Sequence, residues 1–366
     1  MSAIPQFDPK ELELQEYEMF GRKFTRFSYP LNGHDHGVAT FQRHPWWQMT
    51  QATDAKMFTP DVIPDNVARA LVMEGGRRMF KDHEINPDMF GVEWEYIAQV
   101  GGSMVRPGKP FMEDISEWYD KIVWPDIDKW DWEGSAKKNN GTYLQSTGFT
   151  QMWFQTGYFE RLISLLDFEN ALLAIFDEDS KEHVHKFFDK LTDLYIRIFD
   201  KAIETYKPYL NAVFFHDDWG SQKAPFFSPE LCAEMIVPYM QRLTGFLHST
   251  GIFCELHSCG NIYQQVPNII AAGWDAWAPQ LMNDSYKIYD DFGDKLLIAV
   301  FPQGIPSAEE LAKLPEEEIR KAARDYANRV CRPEKSSFYN YYAADYLNIP
   351  AFKEELYIQS RKNYSK

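Results

Sequence analysis

Two short stretches decide the fold that we predict: residues 211–217 read NAVFFHD, and residues 251–258 read GIFCELHS. Each is a run of apolar, β-branched or aromatic residues, which is typical of a buried strand. A long helical pattern separates them and opens at Ser228-Pro229, where Ser suits the N-cap and Pro the first helical position. A strand, a helix and a second strand in this order predict a parallel sheet built from βα units.

The same alternation continues along the chain. Further strands are predicted at residues 274–279, 296–301 and 336–342, and further helices at residues 262–272, 308–314 and 316–330. The first half predicts strands at residues 46–49 and 91–96, helices at 65–74 and 180–206, and loops at 101–110 and 124–132. About eight βα steps predict an α/β fold, a single (β/α)8 TIM barrel with long inserted loops. A doubly wound open sheet is the alternative, although its G-x-G-x-x-G turn is not found in the sequence.

Composition narrows the class of protein. The 366 residues carry a net charge of −16, which disfavours nucleic acid as a partner. Only four cysteines occur, the N-terminus has no signal-peptide pattern, and no apolar stretch reaches the roughly 20 residues of a membrane span. We therefore predict a soluble, cytoplasmic protein. Because no low-complexity linker is visible, residues 1–366 are predicted to form one domain, with residues 1–45 as an N-terminal extension packed on the barrel.

The densest group of chemically active side chains follows the strand at residues 251–258. In a strand, Glu255, His257 and Cys259 share one face at the carboxyl end, where barrel enzymes place their sites. Carboxylate, imidazole and thiolate together suit Zn²⁺. The alternative is a buried thiol beside a hydrogen-bonded histidine.

A second group, His216-Asp217-Asp218, follows the strand at residues 211–217. One acid could bind metal or act as a general acid or base while the other orients His216; capping and solvation are the alternative. Glu93 and Trp94, at another predicted strand end, could add to the pocket or lie in a solvated loop.

The stretches LHSCGNI (256–262), DDWG (217–220) and SPE (228–230) resemble those of the uroporphyrinogen decarboxylase superfamily. The resemblance runs over about residues 90–301 and implies a single (β/α)8 barrel. One branch of that superfamily decarboxylates uroporphyrinogen. Another consists of zinc-dependent, corrinoid-linked methyltransferases, which include methylcobalamin:coenzyme M methyltransferases and components of O-demethylases.

The sequence differs in distinct ways from the decarboxylase branch and from the coenzyme M methyltransferases. The decarboxylase branch holds its substrate with N-terminal arginines, whereas residues 45–52 read PWWQMTQA and no arginine lies between Arg43 and Arg69. In the coenzyme M branch an H-x-C pair, matched here by His257 and Cys259, is completed by a distant Cys. Cys331 precedes the last predicted strand and does not match it, which leaves Glu255, Asp217 or Asp218 to complete the zinc shell. We predict that an acid of this set that does not bind zinc, or His216, transfers the proton, so that all four are candidate catalytic residues.

Aromatic residues are expected to line the barrel mouth. With Glu93, the predicted substrate-binding residues are Trp47, Trp94, Trp219 and Tyr341. A flat pocket suits an aryl methyl ether of the vanillate, veratrole or guaiacol type, whose methyl group would pass to the cobalt of cobalamin on a separate corrinoid protein. The alternatives are a coenzyme M-like thiol or another small methyl donor, a decarboxylase-like reaction, or a non-catalytic tetrapyrrole-binding barrel.

Overall fold

The computed structural model describes residues 4–19, 22–50, 54–106, 110–145 and 148–366. Its strands are β1 Leu14–Met19, β2 Arg22–Phe27, β3 Ala55–Phe58, β4 Ile85–Pro87, β5 Glu93–Ile97, β6 Gly102–Val105, β7 Phe149–Phe154, β8 Ala212–His216, β9 Phe253–His257, β10 Ala276–Trp277, β11 Leu297–Val300 and β12 Ser337–Tyr339. Its α-helices are α1 Gly33–Phe41, α2 Pro64–Ala68, α3 Trp118–Lys121, α4 Trp132–Asn139, α5 Tyr158–Phe176, α6 Glu178–Tyr206, α7 Pro229–Met235, α8 Val237–Ser249, α9 Val266–Ala271, α10 Ser285–Phe292, α11 Ala308–Leu311, α12 Glu316–Val330 and α13 Pro350–Tyr364. None of the helices in these ranges is long and apolar enough to cross a membrane.

The chain divides into two compact units. The first consists of residues 1–56, 147–149 and 275–366, and the second of residues 57–146 and 150–274. The prediction that residues 1–366 form a single domain stays a prediction.

The second unit is built on parallel strands. β7, β8 and β9 pair side by side in parallel, and β3 is the neighbour of β7 on the other side. Nearly every residue of β8 and β9 is buried, as expected for strands covered on both faces. A separate antiparallel sheet, β4-β5-β6, contains the strand predicted at residues 91–96.

The first unit repeats the parallel pattern. Here β10, β11 and β12 pair in parallel, and helices α10 and α12 connect them along the chain. Of the predicted N-terminal extension, residues 1–3 and 20–21 lie outside the described residues; the rest includes the β1-β2 hairpin and α1. Phe27 at the end of β2 packs with Trp47 and with Tyr357 of α13.

The α/β class and the parallel strands are thus confirmed, but the number of strands differs from the prediction. The two parallel groups contain seven strands within the described residues rather than the eight of a closed barrel. The long helix predicted at residues 180–206 is confirmed as α6.

Several predicted elements are wrong in detail. The helix from residue 228 breaks at Ile236 into α7 and α8, because Pro238 has no N–H for a continuous helix. The helix predicted at residues 65–74 ends after Ala68, because Ala70 takes a left-handed φ of 53°. Residues 46–49 form no strand; within the described residues only Thr50 makes a bridge there, to Tyr339.

Two further stretches extend into residues that the structure does not describe. The predicted loop at residues 101–110 contains strand β6, and its residues 107–109 lie outside the described ranges. Residues 51 and 52 of the arginine-poor stretch also lie outside them.

Candidate metal centre

The centre lies in the second unit, at the carboxyl ends of β8 and β9. His216 and His257 end their strands directly opposite each other, and the backbone N–H of Asp217 donates to the carbonyl of His257 at 3.0 Å. The parallel register therefore brings together two motifs that are 41 residues apart in the chain.

Glycine permits the close approach of the two loops that follow. Gly260 has a φ of +93°, and a Cβ there would lie 2.3 Å from the backbone of Gly220. Only glycine combines this left-handed conformation with this contact. The two glycines noted in the sequence motifs thus hold the loops that carry Asp218 and Cys259 together.

Four side chains converge at this point. Potential ligand atoms of His216, Asp218, His257 and Cys259 all lie within 4.8 Å of one another. His216 Nε2 is 2.9 Å from Asp218 Oδ1, and Cys259 Sγ is 3.4 Å from His257 Nε2. The backbone N–H of Cys259 also donates to Asp218 Oδ1, at 2.7 Å.

One of these distances matches a tetrahedral zinc ion. With Zn–S near 2.3 Å and Zn–N near 2.05 Å, a sulfur and a nitrogen ligand stand about 3.6 Å apart. The Cys259–His257 distance is close to that value, and the shorter His216–Asp218 distance is that of a hydrogen bond whose proton a metal would replace. The two imidazoles, one thiol and one carboxylate therefore offer enough ligand atoms for a zinc ion without a distant cysteine, and three of the four would leave one position open for a substrate.

The electrostatics favour a neutral imidazole at one of these positions. Burial lowers the pKa of His257 to about 3, so its ring is uncharged at neutral pH and able to ligate. Burial also raises the pKa of the Cys259 thiol, and Asp218 beside it adds to the effect. A thiolate at this position needs a compensating cation, which a bound metal ion would be.

A largely buried cation, Arg69, lies beside His216. Nδ1 of His216 lies 3.1 Å from Nη2 of Arg69 and 3.1 Å from the carbonyl oxygen of Gln155. Nη1 of Arg69 pairs closely with Glu160. Although burial opposes ionisation, the neighbouring Asp218 raises the pKa of His216 above its ordinary value. A proton on Nδ1 would donate to the Gln155 carbonyl and leave Nε2 available to a metal, whereas a bond from the Arg69 guanidinium needs Nδ1 without its proton.

Asp217 faces away from the four ligand atoms. Its carboxylate accepts from the backbone N–H of Glu160, in the first turn of α5, and from Nε1 of Trp219, both at 2.9 Å. Burial raises the pKa of Asp217 to about 7. Gly157, the N-cap of α5, leaves room for this carboxylate, since a Cβ there would lie 2.4 Å from the Cβ of Asp217. The observed contacts of Asp217 therefore position a helix and an indole.

Glu255 lies deeper on β9. It is fully buried and accepts a 2.6 Å hydrogen bond from Nε2 of Gln151 on β7. It is not a member of the four-residue group found among the described residues. Its assignment as a metal ligand or catalytic acid stays a prediction.

The predicted substrate-binding residues take several environments. Trp94 and Trp219 are buried, with Nε1 of Trp94 donating to Asp88, whereas Glu93 is exposed and pairs with Arg106. Trp47 and Tyr341 belong to the first unit: Trp47 is buried and stacks on His36 and Tyr29, and Tyr341 packs against Tyr342 with the two rings tilted. Their roles toward a substrate stay predictions.

Two polar residues at the site were missed by sequence reasoning. Arg69 immediately follows α2, and Glu160 lies in the first turn of α5, just after β7. The strand-end rule that selected His216 and Cys259 would have selected Glu160 had β7 been predicted. No local signal marks Arg69, because its contacts with Glu160 and His216 span 91 and 147 residues.

Comparison with known proteins supports a methyltransferase-like fold. The structure is similar to that of a methyltransferase from Methanosarcina mazei, with a TM-score of 0.51 and 13% sequence identity over 90% of this chain and 84% of that chain. A structure of Dispersin B matches with a TM-score of only 0.27 and 10% identity, over 87% of this chain and 96% of that one, and is too dissimilar to bear on the fold. No family model and no curated protein matches the sequence. At such low identity, the similarity to the methyltransferase is one of fold.

Proposed function

We propose that this chain is a zinc-dependent methyltransferase that moves the methyl group of an aryl methyl ether to the cobalt of cobalamin on a separate corrinoid protein. The observation that carries the proposal is the convergence of His216, Asp218, His257 and Cys259 at two adjacent strand ends. The methyltransferase-like fold and the motif resemblance support the same class of reaction.

Side chains from this group of four would hold the zinc ion, with one position left for the ether oxygen. Oδ1 of Asp218 faces Nε2 of His216 at hydrogen-bond distance, and a metal between them would replace the shared proton. His257 contributes an uncharged nitrogen, and Cys259 gives up its thiol proton on binding. When bound, the ion supplies Lewis acidity that stabilises negative charge on an ether oxygen as it becomes a phenolate.

The reaction requires no nucleophile from this chain. The bond between the ether oxygen and the methyl carbon breaks, the oxygen keeps the electron pair as phenolate, and reduced cobalt on the partner supplies the pair for the new bond to carbon. The residues of this chain bind, orient and stabilise charge. Arg69 and Glu160, as a close pair, keep the Nδ1 side of His216 in place without adding net charge.

The ligand set that we propose differs from that of the coenzyme M branch, which includes a second, distant cysteine. Cys331, the candidate for a distant third ligand, is buried in the first unit, where its Sγ contacts Gln48 Oε1 at 2.8 Å. The ligand set that we propose contains a single thiolate and two imidazoles instead.

Metal analysis of the purified full chain tests the zinc site. We expect one zinc per chain in the wild type and in Cys331→Ala, a control that removes a buried thiol outside the group of four. His257→Ala and Cys259→Ala should lose the metal, because each removes one of four ligands. Full zinc content in both variants would contradict the assignment.

Activity is tested separately. Wild type incubated with 2-methoxyphenol and a reduced corrinoid protein should yield catechol and methylated corrinoid, and His257→Ala should not. Turnover of a porphyrinogen, or transfer from small methyl donors alone, would move the assignment to one of the other reactions considered above.

A further inference from the structure

Strand β7 and the residue after it carry two side chains that neither the sequence motifs nor the metal centre accounts for. Trp153 lies in β7, and Gln155 directly follows the last residue of that strand. Trp153 stands opposite Phe214 in the parallel register, and the two rings stack at 3.9 Å with an interplanar angle of 12°. Phe214 in turn stacks on His257 at 5.5 Å. Trp153 is therefore one ring away from a proposed zinc ligand.

Gln155 is attached to the same centre by its backbone. Its carbonyl oxygen lies 3.1 Å from Nδ1 of His216. Trp153 thus lies one ring away from His257, and the backbone of Gln155 contacts His216. All of these residues belong to the second unit.

Both side chains have a buried donor with no partner. Nε1 of Trp153 and Nε2 of Gln155 are buried and have no hydrogen-bond acceptor among the described residues. Gln155 as a whole is only 6% exposed. An unpaired buried donor is costly, and such donors are uncommon in folded proteins. Two of them beside one centre are what a site for a hydrogen-bond acceptor requires.

The charges around the donors indicate that this acceptor is uncharged. An indole N–H and an amide N–H₂ are neutral donors. Arg69 is the cation that reaches His216, and Glu160 already compensates its charge. Asp217, Asp218 and Glu255 add carboxylates in the same unit. A ligand carboxylate would be buried here without a counter-ion, whereas a hydroxyl or ether oxygen would not incur that cost.

We infer that Trp153 and Gln155 select the methyl donor by binding a second, uncharged oxygen on its aromatic ring. The preferred substrates are then ethers of the guaiacol and veratrole type, with vanillate-type carboxylates disfavoured. This inference rests on the proposed function for the identity of the ligand, but it concerns binding and not methyl transfer.

The test is a calorimetric titration of the full-length, zinc-loaded chain without corrinoid protein. The ligands are 2-methoxyphenol, methoxybenzene, which lacks the second oxygen, and 4-methoxybenzoate, which adds a charge. The variants are Trp153→Phe, which keeps a flat ring but removes the indole N–H, and Gln155→Met, which keeps the length of the side chain. Trp118→Phe is the matched control, because Nε1 of Trp118 already donates to the carbonyl of His183. Thermal melting establishes that each variant is folded.

Wild type and Trp118→Phe should bind 2-methoxyphenol about tenfold more tightly than methoxybenzene, the equivalent of one neutral hydrogen bond, and 4-methoxybenzoate more weakly still. In Trp153→Phe or Gln155→Met the preference for 2-methoxyphenol over methoxybenzene should fall toward unity. Equal affinity of wild type for the two neutral ethers, as when the donors serve only buried water, would overturn the inference. So would tighter binding of the carboxylate, or an equal loss for both ethers in the variants.

The outcomes separate this inference from the proposed function. Selective binding without methyl transfer to cobalt would leave the inference standing and refute the reaction. Methyl transfer to cobalt with unchanged ether selectivity in both variants would support the reaction and refute the inference.

Discussion

Replacing Arg161 by methionine should destabilise the second unit strongly. Arg161 lies in the first turns of α5, is fully buried, and pairs with two buried carboxylates, Asp65 and Asp88; its Nη1 is 2.7 Å from Asp88 Oδ2. Methionine fills similar apolar volume but leaves both carboxylates without their cation. Removing one partner of a buried ion pair costs about 3–5 kcal/mol.

The remaining hydrogen bonds place the loss near the middle of that range. Asp88 keeps three N–H donors, from the backbone of Phe90 and Val92 and from the indole of Trp94, at 2.9–3.1 Å. Asp65 keeps one backbone donor. Since Asp88 stays well compensated, we expect a loss in the free energy of unfolding of about 4 kcal/mol, mostly from Asp65.

The loss in the free energy of unfolding caused by Arg161→Met should increase with pH. Burial already raises the pKa of Asp88, and without Arg161 it would rise further. A carboxyl whose pKa is higher in the folded state binds more protons when folded, so its contribution to stability grows as the pH falls through that pKa. The difference between wild type and Arg161→Met should therefore be larger at pH 8 than at pH 5.5.

Urea unfolding followed by tryptophan fluorescence measures both effects. Arg197→Met is the control, because Arg197 and Asp128 form an exposed pair at 3.2 Å with side-chain exposures of 57% and 59%. Such pairs contribute about 0–1 kcal/mol. A loss below about 1 kcal/mol in Arg161→Met, or one equal to that of the control, would refute the reasoning.

Two other substitutions have defined expectations. Gly157→Ala would force a Cβ to within 2.4 Å of Asp217 and should lower the free energy of unfolding by about 1–3 kcal/mol. The control is Gly245→Ala in α8, where a Cβ would have nothing within 4 Å, and this variant should be neutral or slightly stabilised. Chemical denaturation measures both variants, and equal effects would contradict the prediction. Glu11→Gln should cost about 3 kcal/mol at pH 7, because Glu11 accepts 2.8 and 2.9 Å bonds from the buried Arg361. Burial raises the pKa of Glu11, but the pairing with Arg361 outweighs it and lowers this pKa in the folded state. The difference in unfolding free energy between wild type and Glu11→Gln should therefore shrink as the pH falls below about 4. A difference that grows instead would show that the pair is not ionic.

Local sequence pattern was sufficient for the elements that bear the site. The apolar runs before His216 and His257 predict β8 and β9, and Ser228 caps α7 as expected, its Oγ accepting from the backbone N–H of Leu231 at 3.2 Å. These features depend on residues a few positions apart, where side-chain periodicity and capping act directly. The H-x-C spacing likewise put His257 and Cys259 on one face without any knowledge of the fold.

What only the tertiary structure decided is how distant segments meet. The sequence left Glu255, Asp217 and Asp218 as equal candidates to complete the shell. The β8-β9 register turns Asp218 toward Cys259, and the N-terminus of α5 draws Asp217 away from it. Strand register depends on packing across the whole unit, because a shift by one residue would move every side chain of the strand to the other face of the sheet. Helix docking depends on it too, because the unpaired N–H groups at the start of a helix need acceptors, which distant residues can supply. For that reason two adjacent aspartates, indistinguishable in the chain, lie in different environments in the fold.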